Sequence, residues 1–311
     1  MIFKDCYENN INFLLSLENY QLMNTKTIGV LSILAASLIW AIEPILVKLS
    51  YLNSDFLHTS SVRAIFVAAI ALIYVFMTNK GNLKVNRKQL SALFYIAFAA
   101  TVIAELLYFY AIAKIPVVNA VLIGHMQPIF IVLMGYIVLK EEKLTKFDYL
   151  GILFMIVAGL LVTTRTFVNL YTLNLGTFED FLVVISAILW ATTSIVMRKY
   201  LRAVNSGVIT FYRYTISFIA ITGYLLLNSY FAISNIYQVM LGLVVGVGTI
   251  LYYEGLKRLK AAQVGALELS TPFFAAILSF FVLGEITTFM QIIGMVLLFV
   301  GVYFLSRKEE K

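Results

Sequence analysis

The chain is poor in the residues from which soluble enzymes are built. Of its 311 residues only 13% are charged, one is cysteine, two are histidine and four are proline. The lone cysteine, Cys6, excludes an intramolecular disulfide and a thiolate-built metal site. The histidines are His58 and His125, and no H-E-x-x-H pair occurs to hold zinc on one helix face. There is no G-x-S-x-G elbow and no G-x-x-x-x-G-K-[ST] loop. A hydrolase nucleophile on a sharp turn and a phosphate cradle for ATP are therefore both missing. An intramembrane enzyme and an ATP-driven pump are set aside, and no metal or cofactor is expected. Residues 1–22 scatter Lys4, Asp5, Glu8 and Glu18 around a short apolar run, without the cationic start or small-residue cleavage site of a secretory signal.

What fills the chain is apolar: 61% of the residues are hydrophobic. A soluble domain is roughly 45–50% apolar and about 25% charged, so this much apolar surface needs lipid as its solvent. Ten apolar segments have the length of about 20 residues that crosses a bilayer core. They are 28–49, 57–78, 91–113, 119–139, 147–165, 178–199, 205–227, 236–257, 264–284 and 287–306. In lipid a segment must satisfy its own backbone, which a helix does. The expected class is an all-α integral membrane protein. Residues 1–26 read as an N-terminal extension. Met23, followed by "NTKTIG", is an alternative start, and an amphipathic surface helix is the rival reading of residues 1–22.

The net charge of +7 invites a nucleic-acid reading until the charges are placed. With the N-terminus cytoplasmic, the even-numbered loops and both ends carry Lys4, Lys26, Lys80, Lys84, Arg87, Lys88, Lys140, Lys143, Lys146, Arg198, Lys199, Arg202, Lys257, Arg258, Lys260, Arg307, Lys308 and Lys311. The odd-numbered loops carry only Lys48, Lys114 and Arg165. That imbalance is the positive-inside rule, and it puts both termini in the cytoplasm of a multi-pass plasma-membrane protein. The basic excess is topological, so no nucleic-acid partner is expected.

The chain also repeats itself. "LIWA" at 38–41 aligns with "ILWA" at 188–191, and the same offset carries Lys48 onto Arg198 and Arg63 onto Arg213. "LYFYAIAKI" (107–115) matches "LYYEGLKRL" (251–259), and "MQPIF" (126–130) matches "STPFF" (270–274). "EKLTKFDYLG" (142–151) matches "EITTFMQIIG" (285–294) after a one-residue slip. Two units follow, 27–166 and 178–306, of five helices each. Five is odd, so the second enters the membrane upside down, as in the inverted-topology repeats of secondary transporters.

With these residues in register, the chain resembles the EamA-type transporters of the drug/metabolite transporter superfamily. The resemblance rests on Trp40-Ala41 and Trp190-Ala191, Arg63 and Arg213, Pro128 and Pro272, and the "LGE" turn at 283–285. "IIGMVLLFVGV" (292–302) looks like the last helix of the small multidrug exporters. Two departures stand out: both halves have Ala where the family has Gly after the first Trp, and the first half has "LKEE" (139–142) for "LGE". The resemblance implies a ten-helix fold and metabolite efflux, and Glu43 resembles the first-helix carboxylate of the small exporters.

Proline cannot donate to the carbonyl four residues earlier. Pro44, Pro128 and Pro272 therefore free the carbonyls of Trp40, Gly124 and Glu268, and broken backbone persists in a membrane only against protein or a wet cavity. A central cavity is expected where Pro128 and Pro272 bring His125, Gln127, Glu268 and Thr271 to mid-depth. At about 1.5 Å rise per residue, Glu43, Arg63, Glu105 and His125 fall in an outer layer. Arg213, Glu254 and Glu268 fall in an inner one. Glu43, Glu105 and His125 are candidates for carrying a proton or meeting substrate, with Thr101, Tyr108 and Ile112 on the face of Glu105. Trp40 and Trp190 stack on a ligand or simply pack. Arg63 is expected to pair with Glu43 or Glu105, Arg213 to act likewise at the other surface, and Glu254 to pair with Arg258. Gly151, Ala158, Gly159, Gly294 and Gly301 give the last helix of each half a small-residue face for helix packing or self-association.

The resulting expectation is a secondary transporter for a small polar or amphipathic metabolite, amino-acid-like or nucleobase-like. It would work by alternating access as a monomer or homodimer in the bilayer, with H+ as a coupling ion. A non-transporting membrane subunit or a lipid scramblase of the same fold is the alternative. In a Cys6→Ser background, single cysteines at positions 84 and 143 are expected to react with an impermeant maleimide from the cytoplasmic side alone. Labelling of the two from opposite faces removes the ten-span topology.

Overall fold

Each long apolar run becomes a helix, and its boundaries are set by polar residues that satisfy the backbone at the ends. In a computed structural model, the structure describes residues 2–138, 145–259, 264, 267–268 and 270–306; the side chains of residues 2–24, 132, 135, 138, 198, 305 and 306 lie outside that description. The described residues form helices and turns, with no strand among them. The "LKEE" departure falls outside the described residues.

The helices are α1 (Ile2–Ser50), α2 (Phe56–Asn79), α3 (Arg87–Ile96), α4 (Leu106–Ile112), α5 (Val117–Gly124), α6 (Gln127–Val138), α7 (Lys146–Thr164) and the short α8 (Phe167–Tyr171). They continue as α9 (Phe178–Val196), α10 (Ser206–Asn228), α11 (Ile236–Arg258), α12 (Ser270–Leu283) and α13 (Phe289–Ser306). A π-helical segment, Ala97–Glu105, joins α3 to α4, and a second, Met197–Leu201, extends α9. Among the described residues, seven helices are long and apolar enough to cross a membrane. Three more, Val117–Ile131, Ser270–Leu283 and Phe289–Phe304, are apolar but shorter.

The caps are legible one by one. Asp55, Asn86, Thr145, Thr177 and Asn235 each accept a backbone N–H of the first turn of α2, α3, α7, α9 and α11. Those amides have no partner inside the helix. At the other end of α12, Gly284 adopts φ 69°. Glu285 N then donates to Ser279 O at 3.2 Å, closing the helix with a left-handed residue. This turn is what the "LGE" motif encodes.

Packing pairs α1 with α11 and α12, α2 with α10 and α11, α7 with α13, and α9 with α4, α6 and the Ala97–Glu105 segment. Small residues allow the closest approaches. On α13 a Cβ at Gly301 would lie 2.5 Å from Met155 Cγ and 3.0 Å from the Gly151 carbonyl. One at Gly294 would lie 2.7 Å from Val162 and 3.1 Å from the Ala158 carbonyl. The small-residue faces of α7 and α13 thus meet each other within one chain.

Two expectations about helix breaking resolve differently. The segment around Pro128 does break: α5 stops at Gly124 and α6 starts at Gln127, which leaves Pro128 in the first turn of a new helix where its missing N–H is harmless. Pro44 does not break α1, which continues to Ser50. One lost hydrogen bond in a long helix, flanked by intact turns, bends it at most. The backbone just ahead of Pro272 includes residues outside the described set, and α12 is helical from Ser270.

Replacing Gly301 by Leu is expected to cost about 1–3 kcal/mol by overpacking, seen as a lower midpoint of thermal unfolding in detergent. Gly223→Leu is the control, because nothing lies within 4 Å of a Cβ there. Equal effects of the two would remove the account of the α7–α13 contact.

Candidate functional site

The Ala97–Glu105 segment organises the site. A π-turn widens the helix and loosens its carbonyls from their usual donors. Neighbouring helices supply replacements. Ser217 Oγ donates to Ala97 O at 3.2 Å, Trp190 Nε1 to Ala100 O at 3.3 Å, and Ser186 Oγ to Ala104 O at 2.9 Å. Ala97, Ala99, Ala100 and Ala104, all buried, let α9 and α10 come close enough for this. The segment ends on Glu105 and presents it to two arginines.

Glu105 is 6% exposed and Arg63 is 0% exposed. Arg63 Nη2 pairs with Glu105 Oε2, and Arg63 Nη1 donates to Glu43 Oε1 at 2.7 Å. The other oxygen, Glu105 Oε1, takes Arg213 Nη2 and accepts from Tyr214 OH at 3.3 Å. Arg213 also donates to Thr101 Oγ1 (Nε, 2.8 Å) and Tyr253 OH (Nη1, 3.1 Å). The Arg63 guanidinium lies 4.6 Å from the Phe109 ring centroid, whose π face stands in for the water it has lost. A single charge at the bilayer centre costs about 2.5–3.5 kcal/mol on insertion scales. Here two carboxylates and two guanidinium groups cancel.

This geometry corrects the two-layer reading. Arg213 is not a separate pair at the opposite surface; it meets Glu105 directly. Depths counted along Cα positions ignore the reach of an arginine side chain, which here joins the layers. The expected local pair of Glu254 and Arg258 is present near the end of α11, with Lys257 Nζ at 3.7 Å from Glu254 Oε1, and it lies apart from the cluster.

The cluster borders a cavity of about 1210 Å³, its open part included. Trp40, Glu43, Pro44, Glu105 and Tyr108 line it from the first half of the chain, as do His125, Gln127 and Pro128 at the α5–α6 break. Trp190, Arg213, Glu268 and Thr271 line it from the second half. Arg63 sits behind this wall, and Pro272 is buried beside Thr271. Trp190 meets Tyr108 edge-on at 5.2 Å, and Trp40 packs on Tyr252 at 4.6 Å. His125 Nδ1 lies 2.7 Å from the Val121 carbonyl, and its ring also bonds the backbone at Glu268. Gln127 Nε2 donates to Ser194 Oγ at 3.1 Å. The Thr271 hydroxyl is buried without a hydrogen-bond partner among the described residues. Among the described residues no cluster of His, Cys, Asp and Glu has the makings of a metal site.

Sequence reasoning placed Thr101 on the Glu105 face but missed Tyr214 and Tyr253, whose hydroxyls complete the cluster. Tyr214 directly follows Arg213 and Tyr253 lies on α11, so no helical spacing from either charged residue marks them. It also missed a polar cap at the end of the bundle that carries the turns 51–55, 113–116 and 284–288. There Glu285 Oε1 binds Lys48 Nζ at 2.5 Å, and Oε2 accepts the Val117 amide at 2.7 Å. Asn119, buried nearby, donates to Asp180 at 3.1 Å and accepts from Gln291. Lys114 donates to Tyr110 and to Glu179, contacts that hold its ammonium above the usual lysine range.

The profile of the EamA-like transporter family matches this chain twice, over residues 27–164 and 177–307. An uncharacterized transporter of Methanothermobacter thermautotrophicus is 27% identical over 301 residues, covering 89% of this chain and 85% of its own. Another, from Archaeoglobus fulgidus, is 22% identical over 296 residues, 93% of this chain and 100% of its own. A crystal structure of a protein superposes with a TM-score of 0.66 at 16% identity, covering 89% of this chain and 96% of the other, a likeness of fold alone.

Glu105→Gln leaves two buried guanidinium groups short of a counter-charge. Breaking a buried pair in this way costs about 3–5 kcal/mol, read as a drop in thermal midpoint. Glu43→Gln leaves Arg63 still bonded to Glu105 and is expected to cost less. A larger loss from Glu43→Gln would show that Glu105 is not the centre of the cluster.

Proposed function

The chain belongs to the EamA-like transporter family, a branch of the drug/metabolite transporter superfamily, and we propose that this multi-pass membrane protein is a secondary transporter of the plasma membrane. It moves a small polar or amphipathic metabolite, most simply outward, by alternating access around the cavity. The cavity itself carries the reading, because its wall mixes carboxylates, a histidine and indole rings contributed by both halves of the chain. A solid interior would have favoured a non-transporting subunit or scramblase.

Ten spans arranged as two inverted units are part of this proposal. The helix pairing supports it. Exchanging the halves carries the α1–α11 and α1–α12 contacts onto those of α9 with α4 and α6, and leaves the α2–α10 and α7–α13 pairs in place. The polar contacts between turns support the sidedness. Asn53 and Asn235, Lys48 and Glu285, and Lys114 and Glu179 each join odd-numbered turns. Asn205 Nδ2 donates to Thr78 Oγ1 at 3.2 Å, joining two even-numbered ones. Both termini then lie in the cytoplasm, and the Lys48–Glu285–Val117 contact closes the outer end.

Proton coupling is the energetic half of the proposal. One proton crossing 100 mV supplies about 2.3 kcal/mol. Glu43 and His125 are the wall groups placed to carry it, since Glu105 is held by two arginines.

Any compound that raises the thermal midpoint in a screen of amino acids, nucleobases and vitamins is expected to enter proteoliposomes saturably without ATP, and faster under an imposed pH gradient. Absence of saturable flux for every such compound would falsify carriage; flux indifferent to pH removes only the coupling.

A further inference from the structure

A second concavity lies where helices end rather than where one breaks. It encloses about 710 Å³, its open part included, and its polar lining is Asn79, Lys84, Gln89, Asn205 and Lys257. It shares no described lining residue with the central cavity. Around it α2 ends at Asn79, α3 begins at Arg87, α10 begins at Ser206 and α11 ends at Arg258. Asn205 Nδ2 bonded to Thr78 Oγ1, and Tyr212 OH donating to Leu83 O at 3.1 Å, hold the two turns together. Ends of apolar spans meeting in one place mark the boundary of the hydrocarbon, the depth of lipid headgroups. Phe76 and Met77, in the last turns of α2, are 63% and 80% exposed and give the same helix end an apolar surface of the kind that meets acyl chains.

The charge at this place has one sign. None of the described lining residues is a carboxylate. Residues 79–90 and 197–206 contain seven basic residues and no acidic one. Glu254 stands beside Lys257, but its other oxygen takes Arg258, so the trio keeps one positive charge over. The Lys84 backbone N–H donates to Asn82 Oδ1, and its ammonium makes no ion pair among the described residues. Gln89 gives its oxygen to the Asn86 amide at 2.9 Å, so what it has left for a ligand is its NH2. Asn205 already caps the Gly207 amide at 2.8 Å, so the start of α10 is satisfied and recognition falls to the side chains. We propose that this concavity binds the phosphate of an anionic phospholipid, gripped by Lys84, Lys257 and the Gln89 NH2, with its acyl chains along the end of α2. Lysines that serve only to orient the spans need only lie near their ends. Here two of them share one hollow with an amide donor. A zwitterionic headgroup brings its own cation, which meets the lysines as a like charge. Free phosphate offers the same oxygens but has no chain to meet the apolar surface of α2.

Calorimetric titration of the purified full-length protein in a neutral detergent compares three probes: short-chain phosphatidylglycerol, phosphatidylcholine with the same chains, and inorganic phosphate. Phosphatidylglycerol is expected to bind about tenfold or more tightly than either of the others. Lys84→Gln and Lys257→Gln are each expected to weaken it about fivefold, the usual contribution of one basic residue near a membrane surface. Lys146→Gln removes a basic residue at the start of α7, outside the concavity, and is expected to leave the affinity unchanged. Lys84 is exposed, so its loss does not threaten the fold, and thermal unfolding verifies each variant. Equal binding of phosphatidylcholine, or an equal loss in Lys146→Gln, reduces the effect to general attraction and overturns the site. Inorganic phosphate binding as tightly as phosphatidylglycerol overturns the lipid as its source. Absence of phosphatidylglycerol binding, or an affinity untouched in either Lys84→Gln or Lys257→Gln, overturns the proposal outright.

Discussion

Everything near the middle of this protein is arranged around one carboxylate held by two arginines. Glu105 binds Arg63 with one oxygen and Arg213 with the other. The carboxylate, Arg63 and Glu43 come from the first half of the chain; Arg213, Tyr214 and Tyr253 come from the second. The pairing therefore ties the halves together at the depth where lipid or dry protein would make an isolated charge most costly. A buried pair of this kind adds little net stability over a well-packed apolar one, yet removing a single member is severe. Its effect is to forbid other arrangements of the two halves, since each separates the charges.

The cluster explains why the run from Arg87 to Ile112 is not a plain α-helix. A regular helix through residues 97–105 would satisfy its own carbonyls, leaving the Trp190 indole without its acceptor and Ser186 and Ser217 with only the carbonyls of their own helices. The π segment hands Ala97, Ala100 and Ala104 to those donors and, in widening, turns Glu105 toward Arg213. Distortions of this type concentrate at functional sites. The alanines are the enabling feature, because a larger side chain would hold the neighbouring helices beyond hydrogen-bond reach.

How much of this could be read in advance follows from which physics leaves a trace in composition. Apolar runs mark lipid-facing helices strongly, and rare polar residues inside them mark an interior. Hence Trp40, Glu43, His125, Gln127, Trp190 and Glu268 could be singled out, and they line one cavity. The break before Pro128 was legible because proline removes a donor. The π segment was not: "AFAATVIAE" contains no breaker and reads as ordinary helix. Pro44 misled in the other direction, since one lost bond did not end α1. The union of Arg213 with Glu105 was hidden because depth along a helix axis says nothing of where a long side chain ends.

On the transporter reading, the energetics of the ion pairs decide where the molecule hinges. Parting Arg213 from Glu105 would strand buried charges at about 3–5 kcal/mol, more than the roughly 2.3 kcal/mol that a proton gains over 100 mV. The Lys48–Glu285 pair is different, because its side chains retain 23% and 16% exposure. Opening that end lets water replace each partner, and pairs able to rehydrate are worth about 0–1 kcal/mol. Glu285 also caps the Val117 amide, so its release loosens α5, the helix that ends at the break beside His125. The central cluster is then the pivot and the Glu285 contact the part that parts. On that proposal the cavity between them would change which end it faces without exposing the arginines to lipid.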